Sequence, residues 1–206
     1  MKVLIVRPNM DYIHMFNKRG HEVVQDLKDA DLVQFTGGAD VHPSLYGQEE
    51  HPRTYADQMR DDDDILAFTR ANRWCIPVAG ICRGGQFLNV MNGGSMHQHV
   101  DGHTAGRGHI MHTTDGREIE VTSTHHQMMI PHAEGDVLAT AKESTYREHM
   151  EEGKVVRETW KHSDTEVVWY TKTQSLCFQP HPEYLGTKHP CQDYYFELLH
   201  ELMGVS

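Results

Sequence analysis

No stretch of the 206-residue sequence approaches the ~20 consecutive apolar residues that cross a bilayer, and the N-terminal run Val3 to Val6 stops at Arg7-Pro8, too short for a signal peptide. These absences predict a cytoplasmic protein with no membrane partner. Cysteine is scarce. The four thiols, Cys75, Cys82, Cys177 and Cys191, form no CxxC pair and lack the density of a disulfide scaffold, so they are expected to be reduced, leaving one free to act as a nucleophile. Basic charge is also short, with 19 Lys and Arg against 30 Asp and Glu and a formal net charge of -11. That balance argues against non-specific nucleic-acid binding, which needs a basic surface to displace counterions from a phosphate backbone, so no nucleic-acid partner is expected. No internal repeat, low-complexity tract or linker divides the chain. With 38% hydrophobic residues, the length suits one α/β domain over residues 1–206 with a real core.

The first ninety residues alternate between strand and helix signals. Val3 to Val6 reads as a strand, Asp11 to Arg19 before Gly20 as a helix, and Val23-Val24 and Asp31 to Phe35 as two further strands, the last ending in Thr36-Gly37-Gly38. The acidic run Asp61 to Asp64 precedes Ile65 to Phe68 and is read as a solvated helix start matched to the helix dipole. Ile76 to Ile81 is a compact apolar strand, and Gly84 to Met91 continues as a helix. Alternation of this kind predicts a three-layer α/β/α fold, its sheet mixed and mainly parallel with helices on both faces. Further on, Asp115-Gly116 reads as a hairpin turn. Asp136 to Ala141, Glu166 to Thr171 and Ser175 to Gln179 read as strands, and Asp193 to Met203 as a closing amphipathic helix.

Two segments carry chemistry. Gly80-Ile81-Cys82-Arg83-Gly84 is a G-x-C-x-G pattern where an apolar strand meets a helix, the form of a nucleophile elbow. Small flanking residues make room for a strained turn, and the following helix N-terminus favours a thiolate and offers N–H groups to a developing oxyanion. A cysteine nucleophile needs a base, and the base needs an orienting group. Gln179-Pro180-His181-Pro182-Glu183 supplies both: prolines fix the chain around His181, and Glu183 lies two residues on.

Gly-Ile-Cys-Arg-Gly-Gly-Gln-Phe-Leu-Asn-Val at 80–90, with His-Pro-Glu at 181–183, resembles the class I glutamine amidotransferases, and within them the peptidase C26-like branch of γ-glutamyl hydrolases and γ-glutamyl-γ-aminobutyrate hydrolases. Thr36 to Pro43 with Leu45 to Gly47, Arg60-Asp61, Gly93 to Gln98 and Ser123 to Gln127 extend the likeness over most of the chain. The resemblance implies a flavodoxin-like fold and a Cys82-His181-Glu183 triad that cleaves the side-chain amide of glutamine or a γ-glutamyl derivative through a thioester. It places the oxyanion hole at the Gly38 and Arg83 backbone N–H groups, and makes Gln86, His125 and His126 candidate binders of the glutamyl group. The small-molecule substrate is expected to need no cofactor. A separate synthetase or amidoligase that takes up released ammonia is the alternative partner. Gly85 stands where relatives often carry a bulkier residue, and is read as loosening the helix start or widening the site.

Histidine is abundant, with 17 residues, and His97, His99, His103, His109 and His112 crowd one segment. Their spacing matches no defined zinc motif and no cysteine joins them, so no metal is expected from the sequence.

Overall fold

In the computed structural model, which describes residues 1–103 and 108–204, local sequence sets most element boundaries. The chain opens with β1 (Lys2–Val6), α1 (Met10–Lys18), β2 (Glu22–Val24) and β3 (Leu32–Phe35). The Asn9 side chain caps α1 by accepting the N–H groups of Asp11 and Tyr12. Next come α2 (Gln58–Arg73), capped by Asp57, then β4 (Val78–Ile81) and α3 (Arg83–Met91). The second half is rich in strands: β5 (Ser95–His97), β6 (His99–Val100), β7 (His109–Thr113), β8 (Glu118–Val121), β9 (Met128–Ile130) and β10 (Asp136–Ala141). It ends with β11 (Tyr146–Glu151), β12 (Lys154–Thr159), β13 (Asp164–Tyr170), β14 (Ser175–Phe178) and α4 (Pro190–Met203). Gly204, in the left-handed conformation at φ +65°, stops α4.

Nine strands form one sheet in the order β2-β1-β3-β4-β14-β13-β10-β7-β8 among the described residues. From β2 to β14 neighbouring strands are parallel. From β14 to β8 they are antiparallel. The core lies in two sheets of side chains on opposite faces. Tyr12 and Phe16 of α1 with Tyr195 and Leu199 of α4 pack on one, and Phe68 of α2 with Phe87 and Leu88 of α3 on the other. This is the expected three-layer α/β/α arrangement. Its functional consequence is that β4 and β14, adjacent and parallel in the middle of the sheet, deliver Cys82 and His181 to the same edge. Ligands bind at the C-terminal edge of open α/β sheets.

The β11–β12 hairpin was not legible in the hydrophobic pattern, because its pairing rests largely on charge. Arg147 donates to Glu158 at 2.6 Å and Arg157 to Glu148 at 2.6 Å, each across the two strands. The hairpin packs through β11 onto β6. Its turn is made by Glu152 and Gly153, at φ +50° and +72°. Among the described residues no helix is long and apolar enough to cross a membrane.

The acidic run at the start of α2 departs from the solvated start read from the sequence. Asp61 and Asp64 are buried, 2% and 0% exposed, and only Asp62 and Asp63 face solvent. Positions three apart share a helix face, so a run of four carboxylates sends two inward. They meet two buried guanidinium groups: Arg83 donates to both Asp61 and Asp64, and Arg60 donates to Asp64 at 3.0 Å.

Candidate active site

Cys82 sits between β4 and α3 at φ +52° and ψ -116°, a conformation that costs a non-glycine residue of order 1–3 kcal/mol. Two close approaches impose it. A Cβ on Gly80 would lie 2.3 Å from the Gly84 carbonyl carbon, and one on Gly84 would lie 2.4 Å from the Phe35 carbonyl oxygen. The helix therefore enters directly against β3 and β4, and Cys82 lines a pocket. Gly85 belongs to the same packing. Its Cβ would meet the Phe178 nitrogen at 2.8 Å and the Gly80 oxygen at 3.0 Å, so its smallness seats α3 on β14 and does not widen the site.

His181 follows the end of β14. Its Nδ1–H donates to Glu183 Oε1 at 2.6 Å, which fixes the tautomer and leaves Nε2 for the thiol. The His181 N–H donates to Thr122 Oγ1 at 2.7 Å, and Tyr184 stacks on the ring at 4.7 Å between centroids and 9° between planes. The Glu183 turn is held from below, where Gln192 Nε2 donates to the Pro182 and Leu185 carbonyls. Burial alone would depress the imidazole. The Cys82 charge, its hydrogen bond to the ring, and Glu183 overcome that and raise His181 to about 10. Tyr12, whose hydroxyl accepts the Gly37 N–H at 2.8 Å, is pushed well above the usual phenol range by burial and then by Glu183, so it stays protonated beside the carboxylate.

Gly38, at φ +149°, and Arg83 border the same pocket as Cys82. The loop before Gly38 is tied down by Arg60, which donates to the Thr36 carbonyl at 2.8 Å and the Gly37 carbonyl at 3.4 Å. Through Asp64 the same arginine is linked to Arg83, the first residue of α3. Both proposed oxyanion donors thus hang on one buried ionic group. Burial lowers Arg83 and raises Asp61 in spite of their mutual attraction. Pairs of this kind contribute position more than net stability.

The three expected glutamyl-binding residues are placed differently from one another. Gln86 borders the pocket, but its amide nitrogen donates to Gln179 Oε1 at 3.1 Å and to the Gln127 carbonyl at 3.3 Å, joining the elbow helix to two loops. His125 is 5% exposed, with Nδ1 on the Gln127 carbonyl at 2.9 Å and its ring 4.3 Å from that of His103. His126 is the most open of the three, its Nε2 on Asp40 Oδ2 at 3.2 Å on the pocket wall. Sequence reasoning missed Tyr12 and Thr122, which carry no local signal because they reach Gly37 and His181 across the fold. Tyr184, next to the His-Pro-Glu segment, could have been found by position.

Gly37 lies under the His181 ring. A Cβ there would come within 2.8 Å of His181 Cε1. Gly37→Ala is expected to displace the ring and lower kcat about 10²-fold, the effect of an ångström-scale misplacement, with little change in melting temperature. Steady-state kinetics at saturating substrate would check this, and an unaltered kcat would show that the ring tolerates the shift.

Three comparisons bear on this geometry. The model of the peptidase C26 family matches residues 13–151, which include Cys82 and stop short of His181. "Putative glutamine amidotransferase Rv2859c" of Mycobacterium tuberculosis is 36% identical over 132 residues, 55% of this chain and 43% of its own length. The chain thus spans about half the length of the curated relatives it matches. Among solved structures, a glutamine amidotransferase of Thermotoga maritima superposes with a TM-score of 0.61 at 13% identity, covering 98% of this chain and 84% of the other. A "putative gmp synthase subunit a protein" of Thermoplasma acidophilum gives 0.66 at 14%, covering 99% and 92%. The structural likenesses carry the fold, and the family match carries the lineage: this chain is a member of the peptidase C26 family.

Proposed function

We propose that the protein is a cysteine amidohydrolase that cleaves the γ-glutamyl amide bond of glutamine or a γ-glutamyl derivative. The observation that carries this reading is a thiol on a strained strand-to-helix turn beside an imidazole whose far nitrogen is held at 2.6 Å by a carboxylate. The Cys82 thiolate attacks the amide carbonyl carbon, and the carbonyl oxygen gains the negative charge between the Gly38 and Arg83 N–H groups. Collapse of the tetrahedral species breaks the C–N bond as His181 Nε2 gives its proton to the departing nitrogen, leaving a γ-glutamyl thioester. Water then adds to the thioester carbonyl while His181 takes a proton from it. Release of the glutamate side chain as an acid restores the Cys82 and His181 pair. Glu183 keeps the ring in one tautomer throughout. Gln86, His125 and His126, which border the same pocket as Cys82, remain the candidate binders of the glutamyl group, and His126 is the most open of them.

The test is a panel of γ-glutamyl amides and glutamine, with mass spectrometry after exposure to a glutamine-analogue electrophile. Turnover of γ-glutamyl amides with label on Cys82 is expected. Label elsewhere would sink the mechanism. Glutaminase activity that appears only with a separate synthetase or amidoligase would instead make the chain an ammonia-supplying subunit.

A pH dependence follows from His181. A pKa raised to about 10 keeps the proton donor charged through neutrality, so activity should fall as pH rises through that value. The linked contribution to stability has the same sign, being full below the ordinary imidazole value of about 6.5 and lost as pH approaches the folded value. Glu183→Gln is expected to bring the alkaline limb of kcat/KM down toward the ordinary imidazole range and to cost about 10²–10⁴-fold in rate. An alkaline limb that does not move would remove Glu183 from the role.

A further inference from the structure

Behind the pocket lies a second set of titratable groups that the proposed hydrolysis does not use. His103, Asp164 and Glu166 are 0% exposed, His125 is 5% and His109 is 6%. They come from four separate places: the turn after β6, the start of β7, the loop before β9 and the start of β13. One ligating atom from each of His103, His125 and Glu166 lies within 4.8 Å of the other two. Each of these residues also has a buried atom without a hydrogen-bond partner among the described residues: His103 Nδ1, His125 Nε2 and Glu166 Oε2. Buried polar atoms are almost always paired, so three unpaired atoms on one small group of side chains call for a partner.

We propose that His103, His125 and Glu166 form a binding site for a divalent transition metal of the zinc type. The remaining atoms of the set are arranged as metal sites arrange theirs. A ligating histidine gives its other ring N–H to a carboxylate or a backbone carbonyl. His103 Nε2 is 2.9 Å from Asp164 Oδ2, and His125 Nδ1 is 2.9 Å from the Gln127 carbonyl. Glu166 Oε1 is in turn held by His109 Nε2 at 2.9 Å. Two imidazoles and a carboxylate suit Zn²⁺ with its fourth position open, at bond lengths of about 2.0–2.2 Å. A tetrahedral site of this kind has ligand atoms about 3.4 Å apart, against the 4.8 Å within which these atoms lie.

Such an ion would pin the 123–127 loop, which borders the pocket through His125, to β13. The Glu166 carbonyl accepts the Gln179 N–H at 2.8 Å, two residues before His181. The site would therefore brace the floor on which the base stands, without touching substrate.

The test uses tag-free protein, with elemental analysis as purified and titration of chelator-treated protein with Zn²⁺ and Co²⁺. About one equivalent per chain is expected, with a rise in melting temperature and the visible bands of a four- or five-coordinate Co²⁺ bound by nitrogen and oxygen. Glu166→Gln and His103→Gln should each lose at least about 100-fold in affinity. His112→Asn, at an exposed position, and Cys82→Ala should bind as the unaltered protein does, which separates this site from surface histidines and from the thiol. If the Glu166 and His103 variants fail to fold, the Co²⁺ spectrum of the unaltered protein decides. Substoichiometric binding, a weak six-coordinate spectrum, or wild-type affinity in folded Glu166→Gln would each overturn the proposal.

Discussion

Cys82→Ala is expected to abolish hydrolysis of γ-glutamyl amides, with kcat falling about 10⁴-fold or more and no covalent label from a glutamine-analogue electrophile. The size of the effect follows from the role proposed for the thiol. Without it no thioester would form, and only binding and the proposed oxyanion contacts would be left to accelerate direct attack by water. The same position predicts an opposite effect on stability. The backbone at φ +52° and ψ -116° is strained for any residue with a Cβ, and glycine adopts it freely. Cys82→Gly should therefore be as inactive as the alanine variant yet melt higher than the native protein, with a gain of about 1 kcal/mol after allowing for the greater unfolded-state freedom of glycine. Thermal unfolding of the two variants side by side measures this. A glycine variant that melts below the alanine variant would mean that the turn stores no strain.

Asp64→Ala is expected to destabilise the fold by about 3–5 kcal/mol, the cost of breaking a buried ion pair from one side. For a chain of this size that corresponds to a fall of about 6–20 °C in melting temperature. Asp64 is 0% exposed and accepts from both Arg60 and Arg83. Its removal leaves two buried guanidinium groups with Asp61 as the one neighbouring carboxylate of the run. The loss should also reach the chemistry, because Arg60 holds the Thr36 and Gly37 carbonyls and Arg83 opens α3. Folded Asp64→Ala protein is expected to have a reduced kcat as the Gly38 loop relaxes. Asp62→Ala, at an exposed position of the same acidic run, should change stability by no more than about 0.5 kcal/mol. Equal melting temperatures for the two variants would show that the buried cluster is not a unit.

These two positions also mark how far local sequence could lead. The elbow was legible because its constraint is local. Glycines two residues before and after a cysteine, between an apolar strand and a helix, report the close approach of Gly80 to Gly84 that the chain must make within a few residues. The acidic run was not legible, because four consecutive aspartates look alike until a helix assigns two of them to the inner face and another helix brings Arg83 to meet them. The β11–β12 hairpin escaped for a related reason. Cross-strand ion pairs stand where apolar alternation would have announced a strand.

The histidines divide in the same way. Read along the chain, residues 97 to 112 match no metal motif, since such motifs depend on ligands a few residues apart. In the fold, His103 meets His125 and Glu166, partners from distant segments that only the packing of β13 against the preceding loops brings together.

The sequence by itself determined the alternating strand and helix order, the turn that presents Cys82, and the pairing of His181 with Glu183, since each depends on contacts between near neighbours along the chain. Only the tertiary structure decided that β4 and β14 lie side by side, that Arg60, Asp61, Asp64 and Arg83 form one buried ionic group, and that Tyr12 and Thr122 take up the backbone N–H groups of Gly37 and His181. Those contacts join residues far apart in sequence, and their partners are chosen by burial and charge within the packed sheet.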